Sequence, residues 1–149
     1  MEPFITVKNL SKTFVTPGSS INVLKDISFD IQRGEMIALM GPSGVGKSTL
    51  LHILGALDRP TSGEVLYDGR DVLKMKDDDL AHFRNRGIGF VFQFHHLMPE
   101  FNTIENAMMP ALIAGMKYSD AREKAEALLN NAGLSGRLTH KPGELSGGE

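Results

Sequence analysis

The chain has 149 residues, 41% hydrophobic and 23% charged, which is enough apolar material for a real core and argues against global disorder. Sixteen basic against eighteen acidic residues leave a net charge of −2, without the basic excess that a phosphate backbone demands, which argues against nucleic acid as the main partner. There is no cysteine, so disulfides and thiolate metal sites are excluded and a reducing compartment is expected.

The N-terminal MEPFITVKNL has no basic stretch followed by an apolar run, so no signal peptide is read there. Phe4, Ile5 and Val7 open an apolar segment that ends near Leu10. After the turn-like Thr16 to Ser20, Ile27, Phe29 and Ile31 alternate with polar residues, the period-two pattern of a half-buried strand. Gln32, Arg33 and Gly34 read as a turn. Met36 to Met40 is a continuous apolar run and predicts a strand covered on both faces. A glycine-rich loop follows, then KSTLLHILGALD, where Leu50, Leu51, Leu54 and Leu57 recur at helical spacing and predict a helix packed on a sheet. Pro60 and Gly63 mark a turn before a short strand at Val65 to Tyr67. Asp77 is the predicted N-cap of a helix through DDDLAHFRNR, and Gly87 to Phe92 predicts another apolar strand.

Beyond Gln93 the pattern turns helical. Thr103 is predicted to cap a helix through Ile104, Ala107 and Met108, which Pro110 would kink or end. Ser119 is predicted to cap a second helix, with Ala121, Ala125, Leu128, Leu129 and Ala132 facing inward and Gly133 at its C-cap. The longest apolar run, Ala107 to Met116, is interrupted by Pro110 and Gly115 and is too short to span a bilayer. The expected fold is therefore α/β. A nucleotide-binding core with a mixed N-terminal sheet occupies residues 1–93, and a helical subdomain occupies 94–149.

Gly41-Pro42-Ser43-Gly44-Val45-Gly46-Lys47-Ser48 fits G-x-x-x-x-G-K-[ST], with Thr49 next in the chain. It follows an apolar run and opens a helix, the placement a phosphate-binding loop requires. Glycines let successive N–H groups turn toward one anion, and the helix start adds its partial positive charge. Lys47 can reach the β- and γ-phosphates, and the Ser48 hydroxyl suits Mg²⁺. The bland alternative is a glycine-rich turn with an incidental lysine.

Further along lie Gln93, directly after the run GFVF, and Leu145-Ser146-Gly147-Gly148-Glu149; upstream lies Phe14 in SKTF. In this order, with the phosphate loop, the chain resembles the ATPase subunits of ABC transporters. On that resemblance Phe14 stands where the family places an adenine-stacking aromatic, usually tyrosine. Gln93 matches the glutamine that contacts Mg²⁺ and senses the γ-phosphate. Leu145 to Glu149 match the signature motif, usually LSGGQ, which binds the γ-phosphate held by the opposite subunit. Ser146, Gly147 and Gly148 are expected to offer N–H groups and a hydroxyl there.

Within the family, LHILGALDRPTSGEV, FQFHHLMPEFNTIENAMMP and ELSGGE are similar to ATPases of lipoprotein-releasing exporters. Macrolide-exporter and cell-division ATPases share the outline, and a soluble ABC ATPase or an inactive fragment are further alternatives. His95 and His96 invite a metal reading, but no third ligand is evident.

The resemblance implies ATP and Mg²⁺ as ligands and a second copy of the subunit in a head-to-tail dimer. It also implies transmembrane permease subunits docked on the segment after Gln93, and a cytoplasmic place at the inner membrane. The family's strand ending in Asp-Glu would follow the signature, so the chain is expected to be truncated at Glu149, with no catalytic residue within it and no turnover alone.

Overall fold

In the computed structural model, which describes residues 2–149, a long antiparallel hairpin organises the first part of the chain. Strand β1 (Ile5–Thr16) runs into β2 (Ser19–Ile31) through Pro17 and Gly18, with Gly18 at φ +90°. On the other side of β1 lies β3 (Ser62–Tyr67), followed by the short β4 (Arg70–Asp71), giving the antiparallel order β2-β1-β3-β4. Val7 and Leu10 are both buried although they are three residues apart, which a regular strand forbids. A register shift between them resolves the conflict: Asn9 turns to φ +48°, its N–H donates to Ser28 Oγ at 2.8 Å, and its amide donates to Asp26 Oδ1 at 2.8 Å.

Helix α1 (Lys47–Leu54) lays Leu50 and Ile53 into the core formed with Ile5, Val7, Leu10, Leu24 and Val65. The inward face differs from the one expected: Leu51 and Leu57 are exposed, and Ile53 is fully buried instead. The helix stops before Gly55, so Leu57 lies outside the helical repeat. Tyr67 donates its hydroxyl to Leu54 O at 2.5 Å and so satisfies a carbonyl of the last helical turn. Its ring meets Phe4 and Phe83 edge-on, and burial pushes its phenol up to about 12.

Helix α2 (Asp77–Gly87) begins one residue earlier than predicted, since the Leu80 N–H donates to Lys76 O at 2.9 Å. Asp77 is thus inside the helix, and its carboxylate pairs with Arg59 at 2.8 Å.

Two predicted strands are absent. Among the described residues neither Met36 to Met40 nor the run ending at Phe92 joins a ladder, and Gly87 closes α2. Met36 is 98% exposed and Val91 102%. A strand covered on both faces needs neighbours on both edges, and the ladders found here belong to β1–β4 alone. Phe90 and Phe92 stack on each other instead, 5.1 Å between centroids.

The chain divides into two compact units, the first ending at Arg84 and the second spanning Asn85–Glu149. In the second, α3 (Thr103–Ile113) and α4 (Tyr118–Asn131) bury Ile104, Met108, Ala121 and Ala125 against each other. The cap of α3 is Asn102, not Thr103: Asn102 Oδ1 accepts the Glu105 N–H at 3.0 Å, and Glu105 Oε2 accepts the Asn102 N–H at 2.9 Å. Pro110 lies inside α3 and does not end it. Ser119 does not cap α4, which starts at Tyr118, and its hydroxyl bonds Asp120 instead. Leu128 and Ala132 face solvent rather than the core. Gly133 at φ +77° ends the helix as expected, with the Leu134 N–H returning to Leu129 O at 2.9 Å.

Gly63 sits at φ +98°, and a Cβ there would lie 2.6 Å from Asn9 O and from Leu10 Cα. Gly63→Ala is therefore expected to destabilise the first unit by about 2–4 kcal/mol. Gly69→Ala, at φ +76° with open space around it, should lose about 1 kcal/mol. Urea unfolding midpoints of the two variants check the difference.

Candidate phosphate-binding site

The loop from Gly41 to Ser48 takes three glycines into backbone regions that side chains disfavour: Gly41 at φ +153°, Gly44 at +79° and Gly46 at +100°. Gly46 occupies the N-cap position of α1 and presses on β2; a Cβ there would meet Val23 Cγ1 at 2.8 Å and Leu24 Cδ2 at 3.0 Å. The loop's polar groups are sorted by kind. The Lys47 ammonium donates to Gly41 O at 2.8 Å and to Pro42 O at 2.7 Å. Among the described residues, no protein group accepts from the N–H groups of Ser43 through Thr49, and the first helical bond is Leu50 N–H to Gly46 O at 2.9 Å. Free donors, a helix start and an adjacent ammonium together form a cradle for an anion. Ser48 at the same helix start is exposed, and Thr49 is half-buried.

Phe14 lies on β1 opposite Ile21, with 42% of its surface exposed, so it is not a core residue. The Lys12 ammonium lies 4.9 Å from its ring centroid and is held by Asp58 Oδ1 at 2.7 Å and Arg59 O at 2.6 Å.

The remaining predicted residues belong to the second unit. Gln93 is exposed at a bend after the unpaired apolar run. In the segment that follows, Phe94, Leu97, Met98 and Ile113 are exposed. Met108 is core and Leu112 packs against the same cluster, so neither belongs to the exposed face of this segment.

Leu145 to Glu149 form a closed turn. The Glu149 N–H donates to Ser146 O at 3.0 Å, and Glu149 Oε2 accepts the Ser146 N–H at 2.8 Å. S-x-x-E is thus used as half of a capping box, with glutamate or glutamine able to serve at its last position. The Ser146 N–H, expected to face an anion, is taken internally. Among the described residues the N–H groups of Gly147 and Gly148 remain free.

Sequence reasoning missed Arg137, whose Nε donates to Glu149 Oε1 at 2.8 Å. The capping-box signal was readable, but nothing in the sequence marked a partner so far upstream. The Arg137 hydrogen bond first, then the Ser146 N–H, holds the Glu149 carboxyl at about 2, down from an ordinary 4.5. A depressed carboxyl stabilises the folded turn fully above its unfolded value and loses that contribution as pH falls toward the folded one. The turn is therefore expected to loosen between about pH 4.5 and pH 2. The Ser146 amide shift followed by ¹⁵N NMR across this window should move with Glu149, and Arg137→Met should shift the midpoint upward.

The ABC transporter family profile matches residues 24–149. The lipoprotein-releasing system ATP-binding protein LolD of Geobacter metallireducens is 58% identical over 149 residues, which are 100% of this chain and 66% of that protein. LolD of Syntrophus aciditrophicus is 57% identical over 145 residues, 97% of this chain and 65% of that protein. The chain thus spans about two thirds of the length of these curated relatives. Among solved structures, the ATP-binding cassette MJ0796, described as a dimer in a post-hydrolysis state bound to ADP and Pi, superposes with a TM-score of 0.89. It is 39% identical, and the match covers 96% of this chain and 63% of that one. With its phosphate-loop geometry and a family match over most of its length, the chain belongs to the ABC transporter family.

Proposed function

We propose that the loop from Gly41 to Thr49 binds the phosphates of ATP, and that the chain works in an ABC-type ATPase that drives release of lipoproteins from the bacterial inner membrane. The observation that carries the reading is the separation of donors from acceptors in the loop: Lys47 covers the carbonyls of Gly41 and Pro42, while no group among the described residues accepts from the N–H groups of Ser43 to Thr49. An anion enters such a loop without breaking backbone hydrogen bonds, and Lys47 needs only to exchange two carbonyls for phosphate oxygens. Phe14 offers an exposed ring for stacking adenine. Ser48, an exposed hydroxyl at the start of α1 beside the loop, suits a hard cation and would hold Mg²⁺. When bound, Mg²⁺ offsets charge on the phosphate oxygens.

Residues 145–149 would contact the γ-phosphate held by a second copy, through the Ser146 hydroxyl and the N–H groups of Gly147 and Gly148. The similarity to LolD proteins supports lipoprotein release as the process, and the dimeric MJ0796 cassette supports the paired arrangement. The exposed Phe94, Leu97 and Met98, just after Gln93, would face the permease subunits, so that nucleotide state reaches the membrane partner through this segment. On this reading the protein would work at the cytoplasmic side of the inner membrane. No helix among the described residues is long and apolar enough to cross it.

Lys47→Ala is expected to raise the Kd for MgATP by about 10- to 100-fold, as loss of a charge-assisted contact requires; unchanged affinity by calorimetry would overturn the assignment. Phe14→Ala should weaken ATP binding by about 1–3 kcal/mol while Phe14→Tyr stays near wild type. Met98→Glu, at an exposed position, should leave ATP binding intact while capture of the permease subunits and transport fall together. Normal transport by that variant would remove Met98 from the coupling surface.

A further inference from the structure

The segment before the residue 145–149 turn is anchored at both of its ends. The Thr103 N–H and hydroxyl both donate to His140 O at 2.9 Å, and the Ile104 N–H donates to Leu138 O at 3.0 Å. These carbonyls satisfy donors that the first turn of α3 leaves without helical partners. Leu138 packs on the α3–α4 core. Arg137 therefore stands on a short helical turn, Ser135–Arg137, fixed to the start of α3. From there its Nε reaches Glu149 Oε1 at 2.8 Å, and the other carboxylate oxygen holds the Ser146 N–H at 2.8 Å. The free N–H groups of Gly147 and Gly148 lie between these two fixed points of the turn.

We propose that Arg137 is a positioning residue for the 145–149 turn, passing the rigidity of the α3 core through Glu149 so that the Ser146 hydroxyl and the Gly147 and Gly148 N–H groups keep one orientation before an anion arrives. This rests on the reading of that turn as a γ-phosphate contact. Glycines at 147 and 148 give the turn no rigidity of its own, and Ser146 and Glu149 by themselves close it only locally. Arg137 supplies the tie to a packed element. A carboxylate at position 149 serves both contacts at once, one oxygen to each. A glutamine keeps an acceptor for the Ser146 N–H but offers Arg137 no charge. The gain is pre-organisation: donors already aimed bind an anion without a further ordering step.

The test uses the ATPase together with its membrane subunits, reading ATP-dependent association of two copies, the half-saturating ATP concentration and kcat separately. Arg137→Met is expected to raise the half-saturating concentration roughly fivefold, the size of a partly exposed ion pair, with kcat changed less than about twofold because the group touches no reacting atom. Arg137→Lys should recover part of the loss. In a Glu149→Gln background Arg137→Met should add almost nothing, since the partner charge is already gone. Circular dichroism of each variant shows that the helices persist. If Arg137→Met behaves as wild type, or if its effect is undiminished in the Glu149→Gln background, Arg137 does not act through Glu149 and the proposal falls. Ser146→Arg separates the two layers. If it leaves ATP-dependent association intact, the γ-phosphate reading itself fails; if it abolishes association while Arg137→Met does not weaken it, only the positioning role is lost.

Discussion

The contact of Gly46 with Val23 sets the geometry of the first unit. A backbone carbon without a side chain lies on the side chain of a strand residue, at a distance where a methyl group would already overlap. The phosphate loop is thereby seated on β2 and, among the described residues, not held by hydrogen bonds from its own backbone N–H groups. That leaves its N–H groups unclaimed and lets the Lys47 ammonium take the carbonyls. The same strand fixes Phe14. Ile21, two residues before Val23, is its ladder partner, so the aromatic ring and the loop are tied to one stretch of β2. A stacking surface and an anion cradle held on a single hairpin keep their spacing without further support.

In the second unit the recurring device is a glutamate three residues after the backbone N–H it accepts from. Glu105 serves Asn102, Glu144 serves Lys141 and Glu149 serves Ser146, each by accepting that N–H. Each closes one turn locally, but only two are tied outward. Asn102 opens α3, whose next donors reach His140 and Leu138, and Glu149 reaches Arg137. The segment between α4 and Glu149 is therefore a chain of short fixed turns and not a loose connection.

How much of this was legible in the sequence depends on the range of the interactions. The phosphate loop was readable because its chemistry is contiguous: glycines, lysine and serine sit within one loop and its helix start. The strand pattern at Ile27 to Ile31 and the existence of the two helices of the second unit followed from local periodicity. The caps of α2, α3 and α4 were misplaced because aspartate, threonine and serine beside a helical pattern do not say which one carries the cap; Asn102 competes with Thr103, and the reciprocal bond from Glu105 decides. The inward face of α1 was misread because four leucines at helical spacing hide Ile53, and the sheet selects the Leu50–Ile53 side. The bulge at Asn9 and the Arg137–Glu149 pair depend on residues far apart in the chain, which composition and spacing do not register. The strands expected at 36–40 and 87–92 failed for a related reason: apolar content states a need for neighbours without supplying them.

Those two runs bear on how the protein behaves in solution. Met36, Met40 and Val91 are almost wholly exposed, on segments whose backbone enters no ladder among the described residues. Short apolar segments with open hydrogen-bonding edges are templates for strand pairing between molecules, and a folded core elsewhere does not protect them. For residues 2–149 taken by themselves, solubility and folding stability are thus separate properties. A substitution that tightens the core around Leu10 or Ile53 raises the second and leaves the first unchanged. Dilution, or a polar residue at position 36 or 91, acts on solubility alone.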